Sequence, residues 1–295
     1  MLFRSFGYNM FLFPVSKWIG GIFFEHTHRL IASTVGVLTV ILAAWLWYAE
    51  SRRWVRMLGL AAVGAVILQG ILGGLRVTML KDQIGIFHAC LAQAFFALMV
   101  IIALVTSRSW REHVVAIRDG KLLRAIALLS TVLIYGQLAL GATMRHQHRD
   151  LSITDFPTAY GQWIPDTSPA AIAAINAARD RIGMSDVSAA QIWLQMAHRF
   201  GAVLIAIGVI WFFIHREKIS PLCGLSTAWL IGVSVQLGLG AWTIWSNKAA
   251  DIATTHVAVG ATMLGFGAIV CAFCFRRIET PVSPTHQLRS DPAIV

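Results

Sequence analysis

Apolar runs long enough to cross a bilayer recur along most of this chain, and no other feature limits its fold as strongly. A spanning helix needs about 20 mostly apolar residues. Such runs lie at residues 30–49, 57–75, 84–106, 125–144, 193–214, 221–244 and 254–275. Lipid offers no hydrogen-bond partner to an open backbone, so each run is expected to fold as a helix. Composition agrees: 57% of the 295 residues are hydrophobic and 13% are charged, with a mean hydropathy of +0.68. The sequence therefore predicts an all-α integral membrane protein with seven readable spans.

Basic residues give the expected orientation, because Lys and Arg collect in cytoplasmic loops. Arg52, Arg53 and Arg56 follow the first span; Arg108, Arg111, Arg118, Lys121 and Arg124 follow the third; Arg216 and Lys218 follow the fifth; Arg276, Arg277 and Arg289 follow the last. The other side carries Arg76, Lys81, Lys248 and a long loop, 145–192, with few basic residues. A net charge of +10 is thus explained by topology and anionic lipid headgroups, and no nucleic-acid partner is implied. Residues 1–24, interrupted by Arg4, Pro14 and Lys17, are not expected to span and fall on the outer side.

Self-similarity divides the chain. His28-Arg29 in EHTHRLIAS aligns with His198-Arg199 in QMAHRFGAV. Gln69 lies 41 residues after the first histidine and Gln236 lies 38 after the second. His88 then follows Gln69 by 19 residues, and His256 follows Gln236 by 20. A third glutamine motif, GQLALGA around Gln137, precedes the second His-Arg pair; its counterpart would precede residue 25, where a helix is expected to be missing. The expected architecture is two homologous four-helix units in the same orientation: residues 1–124, then 125–278 with the outer loop 145–192, followed by a cytoplasmic tail at 279–295.

The repeat places His28, His88, His198 and His256 near the outer ends of their helices, two in each unit. Two imidazoles on facing helices suit the axial positions of an iron porphyrin. A lone histidine at a helix end is ordinarily interfacial or hydrogen-bonded, but four at repeat-equivalent positions point to ligation. Gly73, Gly74, Gly141, Gly238 and Gly240 would let a flat macrocycle or a neighbouring helix approach. His26, His113, His146, His148, His215 and His286 have no repeat partner and are expected to be solvated.

These residues carry a specific resemblance. ExxHR at Glu25 to Arg29, QGILGGLRV at 69–77, His88, the tripeptide Asp155-Phe156-Pro157, the second HR at 198–199 and QLGLGAWTI followed by His256 together resemble the heme A synthase family. The resemblance runs from residue 20 to about 275. It implies an eight-helix multi-pass enzyme of the cell inner (plasma) membrane that oxidises the C8 methyl of heme O to a formyl group, forming heme A for cytochrome oxidase. It further implies heme O as substrate in the unit that carries the glutamate and heme B in the other. Heme O synthase, an unidentified electron donor and the cytochrome oxidase assembly machinery are the implied partners.

One position separates the units. Glu25 stands three residues before the first HR, and Gln195 stands three before the second. A carboxylate at i−3 shares a helical face with the histidine, where it is placed to accept a proton or stabilise positive charge. The bland reading is a glutamate favoured by the helix dipole, or a partner for Arg29. The outer loops lack the cysteine pair found in many members; Cys90 and Cys223 fall in spans, and Cys271 and Cys274 read as packing residues. Ser168-Pro169 opens an Ala-rich helical segment ending at Gly183, with Trp163 as an interfacial anchor. Two other functions fit less of the pattern. A diheme b-type cytochrome that only passes electrons leaves the one-sided glutamate unexplained, and a heme transporter predicts ionisable residues at midplane.

Overall fold

The structure is a computed structural model, and it describes residues 4–5, 8–9, 13–14, 16, 18–112, 120–146, 151–216 and 222–276. His113, Arg118, His148, Lys218, Arg277, His286, Arg289 and the tail 279–295 lie outside the described residues. Two short antiparallel strands, β1 (Arg4–Ser5) and β2 (Tyr8–Asn9), precede the helices. The helices are α1 (Gly20–Ala49), α2 (Arg53–Met79), α3 (Asp82–Thr106), α4 (Arg108–Glu112), α5 (Lys121–His146), α6 (Pro169–Asp180), α7 (Ala189–His215), α8 (Leu222–Trp245) and α9 (Ala250–Phe275). Among the described residues, seven of these are long and apolar enough to cross a membrane. The protein is an all-α, multi-pass membrane protein.

Six of the spans contain the run expected from sequence and α8 covers 222–244 of its run; α1 departs furthest, starting ten residues before position 30. At 1.5 Å per residue its 30 residues measure about 45 Å, against about 30 Å of hydrocarbon. The helix is thus longer than hydrocarbon requires, and Glu25, His28 and Arg29 lie in its first three turns, with Glu25 and Arg29 paired at 2.6 Å.

Helices α5, α7, α8 and α9 close a ring, α5 packing on α7 and α9 and α8 joining the other two. In the second group α2 packs on both α1 and α3, and α3 meets α5 and α9 to join the groups. Lipid removes most of the hydrophobic incentive for helices to associate, so close backbone approach must supply the contact. Gly267 lies against Thr131 and Trp229, and Gly208 against Ser130, so a methyl group at either would collide. Trp229, fully buried, donates its indole N–H to the Met263 carbonyl at 3.1 Å, which removes the cost of its polar atom. At the opposite end from the histidines, Arg52 donates to Glu50 Oε2 at 2.7 Å and to the Val105 carbonyl at 2.9 Å. Those hydrogen bonds hold the Glu50 carboxyl down at about 2 and tie the α1–α2 turn to α3.

The segment between α5 and α7 has its own small core: Ile153, Ala159, Val187, Ile192 and Met196 are buried together. Helix α6 starts where the sequence placed it. Ser168 accepts from the Ala171 N–H, Pro169 fills the first turn, and Gly183 takes a φ of 72° just past the end. Asn176 exchanges two hydrogen bonds with the Val187 backbone, at 3.1 and 2.9 Å, and so docks α6 onto the start of α7. Trp163 is 74% exposed, as an interfacial anchor would be.

Candidate functional site

His28, His88, His198 and His256 lie within the first three turns of α1, α3, α7 and α9. The three glutamines of the repeat all make one contact. Gln69 on α2 donates its amide to the backbone carbonyl of His88 at 3.0 Å, Gln137 on α5 to that of His198 at 2.6 Å, and Gln236 on α8 to that of His256 at 2.9 Å. Each helical carbonyl has a second lone pair to give. Four residues on, a glycine seats the ring: a Cβ on Gly73, Gly141 or Gly240 would stand 3.3, 3.6 or 3.3 Å from Cε1 of His88, His198 or His256. The recurring QxxxG therefore has two parts, an amide that grips the histidine backbone and a gap that admits its imidazole. The sequence showed the recurrence of these residues; it could not show which atoms they meet. The close approach expected at these three glycines is made by the histidines themselves, while Gly238 faces open space.

The His198 and His256 rings face each other with centroids 6.5 Å apart and planes at 61°. His28 is exposed on α1, and His28 and Arg76 are the ionisable groups nearest His88 in effect. His88, His198 and His256 each keep a buried Nδ1 without a hydrogen-bond partner, and so does His26 outside the repeat. Among the described residues no three His, Cys, Asp or Glu side chains converge to hold a metal ion. A metal held by two imidazoles must bring its remaining ligands with it, as a porphyrin does. The donor set, two imidazoles with facing rings, fits that group.

The two His-Arg helices differ one turn away from their histidines. On α1, Arg29 donates to Glu25 Oε1 at 2.6 Å in an i, i+4 pair whose carboxylate side chain is 38% exposed. On α7, Gln195 is buried and pairs with the Ile153 backbone at both groups, accepting from its N–H at 2.9 Å and donating to its carbonyl at 3.0 Å. Arg199 donates to the carbonyls of Asp155 (2.7 Å) and Thr158 (2.8 Å). The Asp155 carboxylate accepts from the Thr158 hydroxyl and from the Tyr160 and Gly161 N–H groups at 2.7, 2.7 and 3.0 Å. Partial burial works against its ionisation, but these hydrogen bonds prevail and hold its carboxyl below the ordinary aspartate range. The Asp155-Phe156-Pro157 tripeptide thus builds the turn that α7 grips.

Two expectations need correction. His26, expected in solvent, is 1% exposed, with the rings of Phe13 and Trp18 each 4.8 Å from its own. His146, also expected in solvent, is 6% exposed and lies against Gly85, where a Cβ would come within 2.7 Å of its ring. Both sit at helix boundaries in sequence, and it is tertiary contact that covers them. His215 is exposed, stacked on Trp211 at 4.1 Å. Cys271 meets the Thr131 hydroxyl and Cys274 is buried, consistent with packing roles.

A family model for the COX15-CtaA cytochrome oxidase assembly proteins matches residues 10–267. Similar proteins include the Heme A synthase of Shouchella clausii, 26% identical over 66% of this chain and 59% of the relative. That of Alkalihalophilus pseudofirmus is 27% identical over 48% of each chain, and that of Shewanella oneidensis is 25% identical over 85% of this chain and 74% of its own. The chain thus spans about half to three fifths of the length of the first two. The matched region contains the four histidines, the three glutamines and the loop that α7 grips, and over it the chain belongs to the COX15-CtaA family of cytochrome oxidase assembly proteins.

Proposed function

We propose that this protein oxidises the C8 methyl group of heme O to a formyl group, forming heme A for cytochrome oxidase. Residues 1–124 form the unit that binds heme O as substrate between His28 and His88, and residues 125–278 form the unit that holds heme B between His198 and His256. The observation that carries this reading is the repeated grip of glutamine on histidine, present at His88, His198 and His256; Glu25, one turn from the exposed His28, supplies a carboxylate on α1. The activity named for the relatives supports it.

Heme B would supply one-electron transfer. This chain's residues hold and orient. Gln137 and Gln236 fix the heights of His198 and His256, and Gly141 and Gly240 leave their rings room. On α1, Glu25 is three residues from His28 and part-exposed, so a proton released as the methyl group is oxidised can pass to water. Arg29, paired with it at 2.6 Å, aims the carboxylate along the helix face. We place the protein in the cell inner (plasma) membrane with its histidine end outward, supplied with heme O by heme O synthase, with electrons by a separate donor, and with an external oxidant that takes the electrons removed from the methyl group while oxygen is added to it. Co-expression with heme O synthase, followed by mass analysis of extracted hemes, should show heme A only when this chain is present. A low-spin b-type spectrum with heme O left unconverted would instead establish a diheme cytochrome.

A further inference from the structure

We propose that Gln195 and Arg199 latch the segment 153–161 across the histidine end of the His198–His256 pair, making this the site that retains its heme; the inference rests on the heme B assignment above. Gln195 is one turn before His198 and Arg199 directly follows it, so both latch points flank the ligand on α7. Ile153 is fully buried, and both its backbone groups are taken by the Gln195 amide. Only an amide can do this, since a carboxylate has no donor to offer the Ile153 carbonyl. The Arg199 guanidinium adds charge-assisted hydrogen bonds to Asp155 and Thr158 and lies over the Phe156 ring, 5.5 Å from its centroid.

Phe156 carries the segment over to the next helix. Its ring meets Trp245 edge-on at 5.9 Å, and Trp245 ends α8 five residues beyond Gly240, the seat of His256. The segment is therefore fastened beside both ligand-bearing positions, and the Asp155 turn stiffens it from within. On α1 the equivalent residues, Glu25 and Arg29, bond to each other and His28 is exposed. A substrate that must enter and a product that must leave need that kind of opening. A resident electron carrier needs the reverse.

The test uses the full heme-loaded chain in lipid nanodiscs, with Gln195→Glu and Arg199→Lys as separate variants, so that one can answer if the other fails to insert. Two quantities are read: hydrogen exchange of the 153–161 amides, and the rate of heme transfer to excess apomyoglobin. Lysine keeps the charge at 199 but loses the forked donors. Both quantities should rise roughly tenfold or more, as expected when a buried acceptor loses its partner. Unchanged exchange in both variants would overturn the latch, and so would faster exchange with unchanged heme release. His256→Ala in the otherwise native chain probes the underlying assignment separately: if the slowly released heme survives that change, the heme B assignment fails, whatever the exchange data say about the loop.

Discussion

Helices α1 and α7 carry the same His-Arg pair, preceded at the same distance by Glu25 in one and Gln195 in the other, yet they use the surrounding side chains in opposite ways. On α1 the carboxylate and the guanidinium pair with each other along the helix. On α7 both polar groups turn outward and hold a folded loop. The structure thus gives glutamine its own reason to stand at 195, and the loss of a carboxylate from α7 is not by itself a sign of chemistry on α1. Glu25 is set apart instead by where it stands, three residues from the exposed His28.

The largest expected effect separates the two histidine pairs. Replacing His198 or His256 by Ala should abolish the low-spin heme B spectrum. Replacing His28 or His88 should leave that spectrum standing while heme A formation falls a hundredfold or more, on the order of what positioned catalysis contributes. Heme content unchanged by all four single replacements would make the histidines structural and dissolve the contrast.

Next in size is Glu25→Gln, which gives α1 the residue α7 already has. Folding and heme B should survive, and heme A formation should drop by about a hundredfold, with heme O or its alcohol accumulating. If the glutamate only favours the helix start, the loss is about 0.3–1 kcal/mol of stability and near-native heme A yield.

A smaller effect is expected from Gly240→Ala, because a Cβ there meets the His256 ring at 3.3 Å and must move it by a few tenths of an ångström. Heme B retention should weaken severalfold, whereas Gly238→Ala, with nothing within 4 Å, should bind as the parent does. Equal behaviour of the two would remove the seat from the account of the motif.

The smallest effect is on pH. The folded Asp155 carboxyl lies below its ordinary value of 3.8, so its contribution to the loop is fully present above that value and is lost only as pH falls through the lower, folded one. Amide protection across 153–161 should therefore be flat from neutrality to about pH 4 and decline below it. The decline should vanish in Asp155→Asn, which should already be less protected at neutral pH.

Much of this architecture can be read from residue patterns, because a bilayer demands long apolar helices and the His-Arg and glutamine landmarks recur at matched intervals. The Ser168-Pro169 start and Gly183 end of α6 are equally legible, being local backbone chemistry. What the pattern withholds is contact between distant segments. Nothing near His26 in sequence announces that Phe13 and Trp18 fold back over it, and Gly85 is far along the chain from His146. The glutamines are an intermediate case: their recurrence is plain at 69, 137 and 236, while their partner atoms are visible only once α2, α5 and α8 lie beside their neighbours.

Those three amides also act as a ruler. A helix slides past its neighbour by about 1.5 Å for each residue of slip, and even one such step would draw Gln236 away from the His256 carbonyl that it now reaches at 2.9 Å. Bilayers of differing thickness are met by tilting the bundle or by deforming the lipid, and neither response shears one helix against the next. The depth of His88, His198 and His256 is thus set against a protein partner, not against the membrane surface, so the spacing between the two candidate heme positions should stay constant in membranes whose thickness does not.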